Sequence, residues 1–393
     1  MIGMKGKTSA LHSVYVIDGQ RRQFTPAELL DACLTEGTDL PPRDRDTETI
    51  VDETLDLSPS SLRFDGRHIQ QYLARTVAAA GRVRPCPLAF AGRFTRSRIA
   101  KALLDTIWMR GHFRLGDLQL QARWKWNDKA LGNMASFYAS VEEAVEYIDA
   151  LGVSLNAYSF SETDGDCQVA FKVGASGKGA GAEDNPDDET YIDLGGDAPF
   201  GTDHPVLGRK KAHGDTLVPD KDSWIIYVPF ESCAYRLGGS VLEESLGAAG
   251  NTFPEIGDAD YFIDCYEVVR ELVEDGIVTA GATVGDGGLL TALKLMCTDG
   301  VGATVDVSCI MSASHEDKSI RVLFGEVPGA LIQIKDIDYD YIDAEFLLQD
   351  VAYFPIGHPD PKSGSVKVKA GGDSGIASIL QSLLSSQASE GED

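Results

Sequence analysis

Three glycine-containing turns, each beside an apolar run, constrain the fold of this chain more than any other feature. They have the sequences RLGGS (236–240), GDGGLL (285–290) and LFGEVPG (323–329). Glycine adopts backbone conformations that other residues avoid, and a helix that starts after such a turn presents N–H groups and a favourable dipole to an anion. The pattern predicts strand–turn–helix units that cradle a phosphate. A single Gly-Gly pair is equally well explained as a tight turn without a ligand.

Composition limits the class of function. The chain has 393 residues, which suits two or three domains, and its net charge of -26 disfavours binding to the polyanionic nucleic acids. A small phosphorylated ligand in a local pocket stays compatible with this charge. We find no N-terminal signal pattern and no apolar run of about 18 residues that would span a membrane. The seven scattered cysteines form no C-x-x-C pair, which favours reduced, buried thiols and a cytoplasmic location.

Apolar periodicity predicts an α+β fold rather than a helical bundle. Thr25 and Pro26 have the positions of an N-cap and a first helical residue, and Gly152 has the position of a helix C-terminal glycine. Predicted strands lie at 13–18, 117–126, 167–173, 223–229, 302–308, 319–324, 329–334 and 351–356. Further predicted helices lie at 66–81, 96–110, 133–151, 241–247, 260–275, 287–297 and 339–349.

These elements suggest an N-terminal region of unknown type at 1–105, a first α/β domain at 106–220, a second α/β domain at 221–358 and a mobile tail at 359–393. The glycine-rich stretch 174–190 lacks the spacing of a nucleotide-binding P-loop and is interpreted as a flexible loop. If it is ordered, its carboxylates would suit Mg²⁺. Basic residues clustered at 82–101 are either an anion-binding or partner-binding patch or exposed arginines near helix ends.

The order of the three turns resembles the second domain of the aminoimidazole-ribonucleotide (AIR) synthetase superfamily, and most closely the phosphoribosylformylglycinamidine synthases. The resemblance is clear over 223–358 and faint over 117–215. It implies a two-domain fold with mixed sheets covered by helices, preceded in this chain by an extra N-terminal region.

The resemblance also implies roles for the first two turns. It places the phosphate of the substrate's ribose against Gly238, Gly239 and Ser240. It places a metal-bound nucleotide in the vicinity of Asp286, Gly287 and Gly288.

Two further residues are candidates for the site. Glu326, in the third turn, is expected to brace the neighbouring backbone rather than to take part in catalysis. Among the histidines of predicted loops, which lack metal-ligand spacing, His213 is the best candidate for a general base because Asp215 follows it closely.

One motif departs from the family's pattern. Family members usually carry His-Asp and then a Ser ahead of Gly-Gly-Leu, whereas this chain has Ala282-Thr283 and Gly285. Alanine cannot bind a metal or move a proton, and threonine is a poor substitute for aspartate. This departure argues against the family's ordinary activity.

The resemblance implies an ATP-dependent carbon–nitrogen ligase of purine biosynthesis, with ATP and Mg²⁺ as cofactors. Such an enzyme phosphorylates the formamide oxygen of a ribonucleotide and lets ammonia displace the phosphate, giving an amidine. The family's glutaminase domain has no room after residue 358, so ammonia would come from a separate glutaminase subunit. The family's pairing of first domains predicts a homodimer. The altered motif leaves open a catalytically degenerate relative with a structural, regulatory or nucleotide-binding role, or another ATP-dependent ligase or kinase of the superfamily.

Overall fold

The computed structural model describes residues 9–34, 83–109, 114–130, 132–175, 213–246 and 252–369. These residues separate into two units, and each unit is described by itself. The predicted helix at 66–81 and most of the predicted loop at 174–190 lie outside the described residues.

The first unit contains a three-stranded mixed sheet. The elements of this unit are α1 (Ser9–His12), β1 (Val16–Ile17), β2 (Gln20–Arg21), α2 (Pro26–Leu34), α3 (Ala91–Ile107), β3 (Leu118–Trp126), α4 (Asn133–Ala150), β4 (Ser154–Glu162) and β5 (Gln168–Ala175). Helix α3 belongs to this unit up to residue 102, and its last residues belong to the second unit. The central strand β3 pairs with β4 in parallel and with β5 antiparallel. Its side chains alternate between buried and partly exposed, as the predicted strand at 117–126 requires.

Aromatic packing joins this sheet to helix α4. The Trp124 ring meets the edge of Phe137 at a centroid distance of 6.3 Å, and its indole N–H donates to Ser140 Oγ at 2.9 Å. Both aromatic side chains are fully buried. The polar atom of the tryptophan therefore has a partner inside the core, as a buried indole requires.

The predicted helix ends of this unit are confirmed. Helix α2 begins at Pro26 and is capped by a reciprocal pair: the Glu28 amide donates to Thr25 Oγ1, and the Thr25 amide donates to the Glu28 carboxylate. At the end of α4, Gly152 takes a φ of 65°, and the amide of Val153 donates to the carbonyl of Ile148. This is the glycine C-cap expected from the sequence.

The second unit contains a six-stranded sheet with the order β11-β8-β10-β6-β9-β7. Its elements are β6 (Trp224–Pro229), α5 (Val241–Leu246), α6 (Ala259–Glu274), β7 (Val278–Val284), α7 (Gly288–Met296), β8 (Gly302–Asp306), α8 (Ser308–Ala313), α9 (Ser319–Phe324), β9 (Gly329–Ile334), α10 (Tyr339–Leu348), β10 (Phe354–Asp360) and β11 (Val366–Lys369), together with residues 103–109. All neighbouring strands are antiparallel except β11 and β8. Strand β9 is buried along its whole length.

Helices α7 and α9 cover one face of this sheet. Their apolar residues, among them Leu293 and Leu323, share one buried cluster with Ile225, Tyr227 and Leu331 of the central strands. Because strand side chains alternate between faces, the equally buried Ile226 and Val228 and their neighbours line the other face. The predicted α+β class, with mixed sheets covered by helices, is confirmed.

Several elements were predicted wrongly or were not predicted. Residues 319–324, predicted as a strand, form helix α9, because this short apolar run packs its side chains into the core beside α7. The strand predicted at 13–18 is reduced to Val16–Ile17 after helix α1. Strand β7, with the weak signal VTAGATV, and strand β4 were not predicted.

The tail prediction also needs correction at its start. Residues 359–369 complete strand β10 and form strand β11, which pairs in parallel with β8. A turn held by Asp360, which accepts from the Lys362 amide at 3.0 Å and from Lys367 Nζ at 2.8 Å, joins these two strands. The remainder of the predicted tail lies outside the described residues.

Candidate functional site

The first glycine turn leads into helix α5, and its backbone donors already have partners within the chain. Gly239 takes a φ of 70°, which favours glycine. The amide of Gly238 donates to the Thr252 carbonyl at 2.8 Å, and the amide of Gly239 donates to the Glu243 carboxylate. The glycine N–H groups predicted to hold a phosphate therefore hold the chain's own oxygen atoms.

Ser240 is an N-cap in the interior rather than an open hydroxyl. Its side chain is buried, and its Oγ donates to the Leu237 carbonyl at 2.7 Å. The same oxygen accepts from the Glu243 amide at 3.2 Å. Both hydrogen-bonding functions of the hydroxyl thus serve the turn and the first residues of α5.

Glu326 connects the first turn to the second. Its carboxylate is only 1% exposed, and the single atom Oε1 accepts from the Val241 amide at 2.8 Å and from the Gly287 amide at 2.9 Å. A buried carboxylate needs such donors, because an unpaired charge in the protein interior is costly. One side chain of the third turn therefore fills the anion position of both helix-starting turns.

The second glycine turn is shaped by close packing as well as by conformation. Gly287 and Gly288 take φ values of 79° and 70°. A Cβ on Gly288 would lie 2.7 Å from the Leu323 carbonyl oxygen, so helix α7 approaches α9 more closely than a side chain permits. Asp286, the predicted neighbour of a metal-bound nucleotide, is half-buried just before this helix.

An aromatic side chain contacts Thr283, one of the two residues that stand in place of the His-Asp pair. The indole N–H of buried Trp108 donates to Thr283 Oγ1 at 2.8 Å. A Cβ on Gly281 would lie 2.7 Å from a Trp108 ring carbon, so the glycine makes room for the ring. The ring of His213 meets Trp108 edge-on at 5.2 Å, and its Nδ1 lies 2.6 Å from the Gly214 carbonyl. His213 is therefore placed beside this tryptophan.

These residues do not fit a Mg²⁺ ion. Ala282 has no ligand atom, and the Thr283 hydroxyl accepts the indole hydrogen bond. Within the described ranges, no three carboxylate, imidazole or thiol groups are clustered in a way that could hold a metal. Magnesium binding relies on carboxylate oxygens, so the motif has lost the donor set that its resemblance implied.

A second buried carboxylate, which was not predicted from the sequence, accepts backbone amides of the adjacent loop. Glu231 follows strand β6 and accepts from the amides of Gly257 and Asp258 at 2.7 and 3.0 Å and from the Ser232 amide at 3.2 Å. Burial raises the pKa of this carboxyl group, while the backbone hydrogen bonds oppose the rise. Its signal in the sequence is the acidic residue placed directly after an apolar strand.

The basic residues of 82–101 that the structure describes are engaged within the first unit. Arg96 contacts Glu143 at 2.5 Å and Glu146 at 3.3 Å. The guanidinium groups of Arg84 and Arg98 lie over the Phe94 ring at 5.7 and 4.7 Å from its centroid. These contacts favour a structural role over the anion-binding or partner-binding interpretation.

The environment of the cysteines disfavours the thiolate form. All seven are free, and burial is the main cause that raises the pKa of each thiol, for example to about 11 for Cys297 and to about 12 for Cys233. A raised thiol pKa disfavours the nucleophilic form. Cys309 is exposed, unlike the buried thiols expected from the sequence.

No described helix has the length and apolar character needed to cross a membrane.

Comparison with known proteins agrees with the fold and the turns. Residues 229–335 match the family model of the AIR synthase related protein C-terminal domain. The chain is 24% identical over 264 residues to a probable phosphoribosylformylglycinamidine synthase of Arabidopsis thaliana, covering 67% of this chain and 17% of the relative. It is 30% identical over 227 residues to the probable membrane antigen 75 of equine herpesvirus 2, covering 56% of this chain and 15% of the relative.

Among solved structures, Thermotoga maritima PurL in complex with FGAR shares the fold, with a TM-score of 0.54 and 12% identity over 74% of this chain and 43% of that chain. The chain spans less than a fifth of the length of the curated relatives that it matches. The match at 229–335 contains all three glycine turns and the carboxylate that joins them. Residues 229–335 are therefore similar to the C-terminal domain of AIR synthase related proteins, and the chain resembles part of the phosphoribosylformylglycinamidine synthases.

Proposed function

We propose that this chain serves phosphoribosylformylglycinamidine synthesis as a catalytically degenerate AIR synthase-like module, which contributes a scaffold rather than phosphoryl-transfer groups. The observation that carries the proposal is the position of Glu326, whose Oε1 accepts the amides that start helices α5 and α7. The proposal includes a cytoplasmic location, because free, scattered thiols suit a reducing compartment.

A bound phosphate would need the same backbone donors. Each amide carries one hydrogen, and those of Gly238, Gly239, Val241 and Gly287 all donate to other groups of the chain. Two of the acceptors, Glu243 and Glu326, are side-chain carboxyl groups, which when ionised would repel a phosphate at this position. In this arrangement the amides of the glycine turns donate to oxygen atoms of the chain itself.

The altered motif of strand β7 supports the same function. Phosphoryl transfer depends on a metal ion that neutralises the phosphate charge. Ala282 and Thr283 stand in place of the residues that would help to hold this metal ion. The hydroxyl oxygen of Thr283 accepts a hydrogen bond from the Trp108 indole. One relative that the chain resembles, the herpesvirus antigen, is not named as a synthase, which is compatible with a role without catalysis.

The second candidate is that the chain itself catalyses the ATP-dependent amidation of a formamide ribonucleotide. Three observations support this candidate. The glycine turns take the positive φ values expected of them, Asp286 is half-buried before α7, and the fold is shared with a PurL bound to FGAR. In this case ATP and Mg²⁺ would be cofactors and a separate glutaminase subunit would supply ammonia. A homodimer would complete the assembly.

ADP release separates the two candidates. Purified protein is mixed with ATP, Mg²⁺, formylglycinamide ribonucleotide and ammonium chloride, and ADP is followed with a coupled assay. The scaffold proposal expects the same rate with and without the ribonucleotide. Release that needs both ribonucleotide and ammonia, and that Asp286→Asn abolishes, would establish the enzyme instead.

A further inference from the structure

Helix α10 has apolar residues on two sides. Ile342 and Phe346 are fully buried, and they anchor the helix in the second unit. Ile337, in the turn before the helix, is 86% exposed, and Leu347 and Leu348 are 69% and 77% exposed. The outward apolar surface, called the α10 stripe, consists of Ile337, Tyr341, Ala344, Leu347 and Leu348.

Three residues of the α10 stripe share one face of the helix. Tyr341, Ala344 and Leu348 recur at i, i+3 and i+7 within α10, and Ile337 lies in the 3-10 turn directly before it. Isolated exposed apolar residues are normal on a protein surface, whereas a contiguous row indicates an interaction site.

Negative charge surrounds the α10 stripe. Within residues 335–350 the acidic residues are Asp336, Asp338, Asp340, Asp343, Glu345 and Asp350, and the only cation is Lys335. The Glu345 carboxylate, then burial, and then Asp275 and Glu271 at the C-terminal end of α6 raise the pKa of the Tyr341 phenol. Asp336 also accepts the Trp224 indole N–H, and Asp343 accepts the Tyr353 hydroxyl, which fixes two of these carboxylates.

This charge selects among possible occupants. A second copy would bring the same acidic border and a net charge of -26 against its equal. Residues 370–393 of this chain contain no lysine or arginine. We propose that the α10 stripe is a docking surface for a basic amphipathic helix of a different polypeptide, whose apolar side covers the stripe while its lysines and arginines face the acidic border.

Fluorescence anisotropy with a labelled synthetic peptide tests this proposal. The peptide carries leucines at i, i+3, i+4 and i+7 and lysines elsewhere, and a control peptide has the same composition with the leucines scattered. The intact chain is expected to bind the amphipathic peptide saturably with 1:1 stoichiometry. The double substitution Leu347→Ser with Leu348→Ser should weaken binding by about tenfold or more, as the loss of central apolar contacts does in other interfaces.

The matched control is Leu295→Ser, which removes another exposed leucine, 49% exposed on α7. Its affinity for the peptide should equal that of the unsubstituted chain. Equal binding of the scattered peptide, equal binding by the double variant, or no saturable binding would overturn the proposal. Sedimentation showing self-association that the double variant abolishes would assign the stripe to a second copy. None of these outcomes depends on whether the chain releases ADP.

Discussion

At the scale of single residues, Glu326 carries the most structural information. A carboxylate that accepts two backbone amides in a buried position combines two roles, since it satisfies helix-starting donors and fixes the distance between two turns. The same geometry explains why the turns contain glycines although the amides of Gly238, Gly239 and Gly287 already donate within the chain. They are required by the turns and by helix packing, not only by a ligand.

Substituting Glu326 tests this dual role. Glu326→Ala leaves two buried amides without their acceptor and should lower the free energy of unfolding by about 3–5 kcal/mol. Glu326→Gln keeps an acceptor oxygen and should cost about 1–3 kcal/mol. Urea unfolding measures both values. Inorganic phosphate should stabilise Glu326→Ala more than the unsubstituted chain, because it can take the vacated anion position.

The control for this experiment is Glu271→Ala, which removes a carboxylate that is 61% exposed on α6. It should change stability by less than about 1 kcal/mol and should gain nothing from phosphate. A Glu326→Ala protein as stable as the unsubstituted chain would contradict the bracing role.

Gly288 gives a second prediction at this scale. Gly288→Ala combines a positive φ with a contact of 2.7 Å to the Leu323 carbonyl oxygen, so we expect a loss of about 2–4 kcal/mol in thermal or urea unfolding. Gly300→Ala is the matched control, because a Cβ at that position meets no atom within 4 Å. Equal effects of the two substitutions would show that the close approach of α7 and α9 does not limit stability.

At the scale of elements, long periodic segments were predictable and short ones were not. Helix α4 and strand β3 have many turns or alternations that agree with one structure, and their predicted bounds lie within one residue of those observed. Helix α9 has six residues, and its sequence SIRVLF suits a strand equally well. Its packing against α7 decides the outcome, and that contact is not written in the local sequence.

The candidate site shows the same division. The turns, and a structural role for Glu326, follow from the order of glycines and apolar runs. The actual partners of Glu326, Trp108 and Glu231 do not, because each lies far along the chain from the group that it contacts. Only the fold brings the indole of Trp108 to Thr283.

The turn between β10 and β11 provides a prediction about pH. Lys367 and the Lys362 amide lower the pKa of Asp360, so its ionised form stabilises the folded state. This contribution is present above the ordinary pKa of an aspartate and is lost as the pH falls through the lowered pKa. Asp360→Asn should therefore lower the melting temperature at pH 7, and the difference should disappear as the pH falls below the lowered pKa of Asp360.

The control at the same pH values is Asp317→Asn, an exposed residue in a loop of the same unit. It should leave the melting temperature close to that of the unsubstituted chain throughout. A constant difference between Asp360→Asn and the unsubstituted chain across this pH range would contradict the ion-pair explanation.

At the scale of the whole molecule, the chain shares the fold of Thermotoga maritima PurL, while its glycine turns bind groups of the chain itself. The chain covers less than a fifth of the length of its curated relatives, and the proposed scaffold role concerns this part alone. The proposed docking of a basic helix on the α10 stripe would add a contact with a partner polypeptide.

The most direct test of the central claim is a titration followed by amide resonances in nuclear magnetic resonance. Formylglycinamide ribonucleotide is added to the isotope-labelled chain, and the signals of Gly238, Gly239, Val241 and Gly287 are measured. We expect that these amides do not shift, because their hydrogens are already donated within the chain. Saturable shifts at all four amides would show a phosphate bound at the turns and would contradict the scaffold proposal.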